Sequence, residues 1–312
     1  MTRPLALRAL FFFVLFALLA LASGFLAPLR VSAATSQKRT LQSGGIARTY
    51  HVYRPASLGR QRPVALVVML HGGFGTGLQA ERAYHWDAAA ERYGFVVVYP
   101  DGIDYAWNAG DCCGQPQKRN LDDVGFLTAL VERLERDENV DPHRIYVTGM
   151  SNGAMMAYRM ACEAPLAIAA IGPVAGTQSV DCAHPRPTSL LAIHGLDDGN
   201  VPFNGGLPRK GATAKLPRRA VPDVIAEWRA GDACRAPSLQ SAGSVMTSRA
   251  SCAGGREVNL IAIAGAGHQW PGGEPPSAFA QVVLAPFGGL DPPSSALDAT
   301  AVLWTFFAAH RS

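Results

Sequence analysis

Six short runs of nearly uninterrupted apolar residues limit most strongly how this chain can fold. They are Val64–Leu70 and residues 95–99, 145–148, 169–175, 189–194 and 258–264. A strand with one wet face alternates apolar and polar residues. An unbroken run has two dry faces and needs a layer packed on each. Segments of helical composition lie between the runs, at 80–93, from the turn after Thr148 through Cys162, at 222–230 and at 295–310. Another has Val124, Leu127, Leu130, Val131 and Leu134 at helical spacing, with Glu132, Arg133, Glu135 and Arg136 facing elsewhere. The alternation predicts an α/β fold with a mostly parallel sheet and helices on both faces. Ile46–Tyr53 reads as an edge strand, Asp122 or Asp123 as a helix cap, and Ser295 with Asp298 as a capping box. The Pro/Gly-rich tracts 202–222 and 271–293 read as loops over one face, so residues 34–312 are expected to form a single domain.

The N-terminus has the pattern of an export signal. Arg3 and Arg8 precede an apolar run at 9–22, and Val31-Ser32-Ala33 offers the small residues a signal peptidase needs. The expectation is a signal peptide at 1–33 and a secreted or periplasmic product, with no stable membrane insertion after cleavage. The formal charge of +4 shrinks once that segment is set aside, because it holds Arg3, Arg8 and Arg30 and no acid. A nearly neutral chain lacks the concentrated basic surface that phosphate binding needs, which argues against a nucleic-acid partner. Six cysteines in an exported chain point to disulfides. Cys234 and Cys252 would form a local staple. Cys112, Cys113, Cys162 and Cys182 would form two bridges, the adjacent pair reaching different partners because a ring between neighbours is strained. No CxxC pair or His-x-x-x-His cluster is present, and no metal is expected.

The sharpest chemical signal is Gly149-Met150-Ser151-Asn152-Gly153, between an apolar run and a helical segment. This is the G-x-S-x-G elbow of the α/β-hydrolase fold, where a tight strand-to-helix turn lifts the serine hydroxyl above the sheet. A serine hydroxyl needs a base to take its proton, and in this fold the base follows the acid, which follows the nucleophile. Of eight histidines, His268 fits best: it lies past an apolar run in Gly265-Ala266-Gly267-His268-Gln269-Trp270-Pro271. His194 reads as a packing or turn residue. The carboxylate that orients the base is expected after the run ending at His194, as Asp197 or Asp198; the residues alone do not separate them. Oxyanion donors are expected from the Asn152 amide and from Leu70-His71-Gly72-Gly73-Phe74, with Gly73 the first choice and Phe74 next. His71 itself reads as structural. No cofactor is required by this chemistry.

Further motifs occur in a fixed order: Tyr99-Pro100-Asp101-Gly102, Trp107-Asn108 before Cys112, Asp122-Asp123-Val124-Gly125-Phe126, His194-Gly195 before Asp198 and Val201-Pro202, and Gly267-His268-Gln269-Trp270-Pro271-Gly272. With the elbow and Leu70-His71-Gly72-Gly73, this set resembles the polyhydroxybutyrate (PHB) depolymerase-like esterases, which include feruloyl and acetylxylan esterases. The resemblance implies a secreted serine esterase with Ser151 as nucleophile, His268 as base and Asp198, rather than Asp197, as acid. It implies feruloyl or acetyl esters of polysaccharides, or hydroxyalkanoate oligomers, as substrates. Only a loop and one helix follow His268, and no cysteine lies near the cleavage region. Attack on crystalline polymer and a lipid-modified N-terminus are therefore not expected. Trp107 and Trp270 would either stack on substrate or pack the loops. The basic loop residues Arg209, Lys210, Lys215, Arg218 and Arg219 would be solvated, or would attract acidic polysaccharide decorations. The partner is expected to be an ester, small or polymer-linked, met by a monomer. An acyltransferase with the same triad and a non-catalytic envelope protein are the rival readings.

Overall fold

The computed structural model describes residues 35–182, 187–210, 217–278, 281–282, 285 and 290–312. The segment read as a signal peptide, and Lys215, lie outside the described residues. Ten strands form one sheet: β1 Gln37–Ser43, β2 Ile46–Tyr53, β3 Val64–Leu70, β4 Val96–Pro100, β5 Val140–Met150, β6 Ala170–Val174, β7 Ser189–Gly195, β8 Ser238–Ala242, β9 Val245–Arg249 and β10 Val258–Ile263. Their order is β1-β2-β4-β3-β5-β6-β7-β10-β9-β8. The six strands from β4 to β10 are mutually parallel, and an antiparallel pair closes each side. This is the α/β-hydrolase architecture that the apolar runs predict, and each run lies within or overlaps a central strand.

Helices cover both faces. They are α1 Gly77–Ala83, α2 Trp86–Tyr93, α3 Gly114–Lys118, α4 Asp123–Glu138, α5 Asn152–Glu163, α6 Val221–Gly231 and α7 Ala299–Ala308. Along β3, Leu66, Val68 and Leu70 join a core with residues of α4, α5 and α6, while Ala65, Val67 and Met69 join the core of α1, α2 and α7 on the other face. All seven β3 side chains are buried, and each large one contributes about 1.5–3 kcal/mol. The described residues fall within one compact unit, Ala34–Ser312.

Four local expectations need correction. The segment 80–93 is two helices, because His85 takes a left-handed conformation between them. β2 is not the edge: β1, with alternating exposed residues, pairs outside it. Asp122 caps α4 through Gly125 N–H at 2.7 Å, whereas α7 is capped by Asp298 itself, through Ala301 N–H at 3.0 Å, and not by Ser295. Among the cysteines, Cys234 pairs with Cys252, and Cys162 with Cys182 at a Cα separation of 5.6 Å. That second bridge leaves Cys112 and Cys113 only each other, and they pair as neighbours rather than with separate partners.

Candidate active site

The parallel strands run one way, so the C-terminal ends of β3, β5, β7 and β10 meet along one edge. The turns leaving those ends carry His71-Gly72-Gly73, Ser151, Asp198 and His268 respectively. Ligands of α/β sheets bind along this edge.

β5 ends at Met150 and α5 starts at Asn152, leaving Ser151 alone in the turn at φ 57° and ψ −117°. Such a conformation costs a non-glycine residue about 1–3 kcal/mol and persists only when its surroundings enforce it. Here Ser151 N–H donates to Val174 O at 2.9 Å, and Met155 N–H to Ser151 O at 3.0 Å. The flanking glycines allow the close approach. A Cβ on Gly149 would lie 2.5 Å from Gly153 C, and one on Gly153 would lie 2.3 Å from Leu70 O.

His268 Nε2 stands 2.8 Å from Ser151 Oγ, and its Nδ1 stands 2.7 Å from Asp198 Oδ2. A carboxylate only accepts, so Nδ1 carries the proton and Nε2 is left to accept the serine hydroxyl. Asp198 is wholly buried, and its Oδ1 accepts from Asn200 N–H and Val201 N–H, both at 2.8 Å. Burial opposes its ionisation, but the charge of and hydrogen bonds from His268 and His194 outweigh burial and hold the carboxyl well below the usual carboxylate range. His194 Nε2 lies 2.8 Å from Val201 O and 3.3 Å from Asp198 Oδ2, so it braces the acid and its turn. Asp197, the alternative, is exposed.

A Cβ on Gly72 would lie 3.5 Å from Ser151 Cβ, so the turn after β3 rests against the serine. In that turn Phe74 N–H donates to Tyr105 O at 2.8 Å, and Gly75 N–H to Gly72 O at 3.0 Å. Gly73 N–H and Asn152 N–H have no acceptor among the described residues, the latter as the first amide of α5. His71 is buried, with Nδ1 2.8 Å from Gly72 O and Nε2 accepting Gly102 N–H at 2.9 Å. Burial lowers its pKa, against the opposing pull of the Gly72 bond and Asp101. It is therefore a neutral strut between two turns.

The expectation that Trp107 and Trp270 bind substrate is corrected by burial. They are 0% and 1% exposed, so neither offers a ring face to a ligand. Trp107 Nε1–H donates to His71 O at 3.0 Å, while Trp270 stacks on Tyr84 and donates to Thr300 Oγ1 at 3.1 Å. Both indoles pack the loops. The Asn152 side chain completes this scaffold: its Oδ1 accepts Trp107 N–H at 2.7 Å and its Nδ2–H donates to Trp107 O at 3.0 Å. Asn108 N–H then reaches Asp123, which a buried Arg48 neutralises at 2.7 Å.

Sequence reasoning missed Asp291. Its Oδ2 accepts His268 N–H at 2.8 Å and its Oδ1 pairs with Lys210 Nζ at 2.6 Å. Its carboxylate sits where a Cβ on Gly267 would be, 2.3 Å away. Arg209 and Lys210 donate their N–H groups to Gly199 O, so the base-bearing and acid-bearing loops are tied together. Asp291 lies in a Pro-rich tract, and no spacing rule marks it.

The model of the family described as Esterase PHB depolymerase matches residues 48–197. NocK of Nocardia uniformis subsp. tsuyamanensis, named as an esterase, is 33% identical over 267 residues, 78% of this chain and 76% of its own length. Feruloyl esterase B of Piromyces equi is 29% identical over 69% of this chain, a match that spans 41% of the relative. Among solved structures, an acetyl xylan esterase from Aspergillus awamori superposes with a TM-score of 0.59 at 18% identity, covering 81% of this chain and 99% of that one. The last likeness concerns the fold.

Proposed function

The chain belongs to the PHB depolymerase family of esterases and is a carboxylic ester hydrolase, and from that premise we propose that it works through a Ser151–His268–Asp198 triad and an acyl-enzyme. The observation carrying this reading is the continuous hydrogen-bonded chain Ser151 Oγ–His268–Asp198, built from residues 117 and 70 positions apart. As Ser151 Oγ attacks the ester carbonyl, His268 Nε2 takes its proton and Asp198 stabilises the resulting imidazolium. The amides of Gly73 and Asn152 receive the charge on the carbonyl oxygen; one such donor lowers the barrier by about 3 kcal/mol. His268 then protonates the departing alcohol, and a water activated by the same imidazole releases the acid and restores Ser151.

The substrates proposed are feruloyl or acetyl esters of polysaccharides and hydroxyalkanoate oligomers. The name of the feruloyl esterase relative supports the first group. The chain is proposed to be exported as a single esterase domain, residues 34–312, after removal of residues 1–33. Among the described residues no helix is long and apolar enough to cross a membrane. The test is hydrolysis of p-nitrophenyl acetate by the wild type and Ser151→Ala, followed by a screen of methyl ferulate, acetylated xylan and hydroxybutyrate oligomers. Turnover lost with Ser151→Ala supports the reading; turnover retained by a folded Ser151→Ala protein overturns it.

A further inference from the structure

A cavity of 280 Å³ opens off the turn after β6, the strand next to β5, and is lined by Asp111, Gln178, Ser179, Val180, Asp181 and the segment 217–219. The same turn packs on the backbone of the elbow: a Cβ on Gly176 would lie 2.9 Å from Ser151 O, and Gln178 follows two residues later. Most of its polar lining is already committed. Gln178 accepts Trp228 Nε1–H at 2.7 Å and donates to Val180 O at 3.0 Å, and Ser179 donates its hydroxyl to Ala109 O. Asp111 and Asp181 are exposed, and Arg219 pairs with Glu227.

Arg218 differs from all of these. It is 9% exposed, its Nε is buried with no partner, and its guanidinium makes no hydrogen bond or ion pair among the described residues. Its backbone is pinned by a two-bond bridge to Gly206, at 2.8 and 2.9 Å. Asp111 exerts an attractive charge on it without forming an ion pair. The sequence reading of Arg218 as a solvated charge therefore does not hold. A guanidinium stays charged at all ordinary pH, and burying one unpaired is costly, so this side chain is short of an acceptor. Its planar fork of N–H donors matches a carboxylate.

We propose that Arg218 forms a carboxylate-recognising subsite in the cavity off the turn after β6, which directs the enzyme toward esters that carry a free carboxylate elsewhere in the molecule. This rests on the esterase reading above and narrows its substrate class. Hydroxy-acid oligomers and esters on acidic saccharides both have this chemistry.

The test measures kcat/KM for acid and neutral isostere in two arms. Monomethyl adipate against methyl adipamate places the carboxylate on the acyl side. O-acetyl-hydroxybutyrate against its carboxamide places it on the alcohol side. The acid should be favoured by about tenfold or more in one arm, as a charge-assisted hydrogen bond implies, and that arm identifies the side. Arg218→Gln should bring the ratio close to one, and Arg218→Lys should retain part of it. Should Arg218→Gln not fold, inhibition of the wild type provides the readout: adipate should compete at least tenfold better than adipamide. A ratio near one in both arms overturns the subsite, as does a ratio that survives Arg218→Gln, or equal inhibition by adipate and adipamide. Hydrolysis of p-nitrophenyl acetate separates the two failures, since its absence would sink the esterase reading instead.

Discussion

Asp198→Asn probes the site at its most constrained point. Oδ1 accepts two backbone N–H groups, and Oδ2 faces His268 Nδ1 and His194 Nε2. An asparagine has one acceptor oxygen where the carboxylate has two, so its NH₂ must face donors whichever way it turns. With its oxygen kept on the Asn200 and Val201 amides, the NH₂ meets His268 Nδ1. The imidazole then moves its proton to Nε2 and becomes a donor to Ser151 instead of a base. The geometry survives while the tautomer is wrong, a change that costs about 10⁴ in kcat in serine hydrolases of this logic. KM should change little, because ground-state contacts are untouched. Stability gains a second signature. The folded pKa of Asp198 is depressed, so its contribution is present above an unfolded value of about 3.9 and is lost as pH falls through the folded value. The variant should lack that contribution at neutral pH. The assay is p-nitrophenyl acetate hydrolysis with thermal melts at pH 7 and in acid. A folded Asp198→Asn enzyme within tenfold of wild-type kcat, or an equal loss in Asp197→Asn, would refute the reasoning.

Gly153→Ala places a methyl 2.3 Å from Leu70 O, which is backbone and cannot swing away. It should destabilise by about 1–3 kcal/mol and lower kcat by displacing the turn after β3; a melt and a rate at the wild-type level would contradict this. Asp291→Asn weakens the tie from Lys210 to the His268 amide. It should lower kcat more than it raises KM, and a change confined to KM would count against a positioning role. Cys162–Cys182 and Cys234–Cys252 close loops with separations of 20 and 18 residues. Removing either should cost about 3 kcal/mol and lower Tm by roughly 6–12 °C, and melts without that drop would show that neither loop restrains the unfolded chain.

The sequence revealed most where burial is two-sided. β3 and β7 are buried along their whole length, and such runs admit few alternatives. β8 could not be read this way: all five of its residues are exposed, so no apolar pattern marks the β8–β9 hairpin. Ser151 and His268 were legible because turn chemistry surrounds them. Asp198 and Asp197 were not separable from the residues alone, since adjacent residues differ only in which way the turn points them; the family resemblance was what favoured Asp198. Trp107 and Trp270 gave an ambiguous signal, because an indole that packs a loop and one that stacks on a ligand look identical in sequence. Asp291 left no signal at all, and Arg218 stood out only as one of several basic residues in a loop. What sets them apart is what they face, the His268 amide in one case and a cavity in the other.

The most direct measurement of the central claim is the intact mass and peptide map after reaction with a fluorophosphonate. One adduct per chain, carried by the peptide containing Ser151 and lost in Ser151→Ala, is the predicted result. An adduct on another residue, or none while ester turnover continues, would contradict the account.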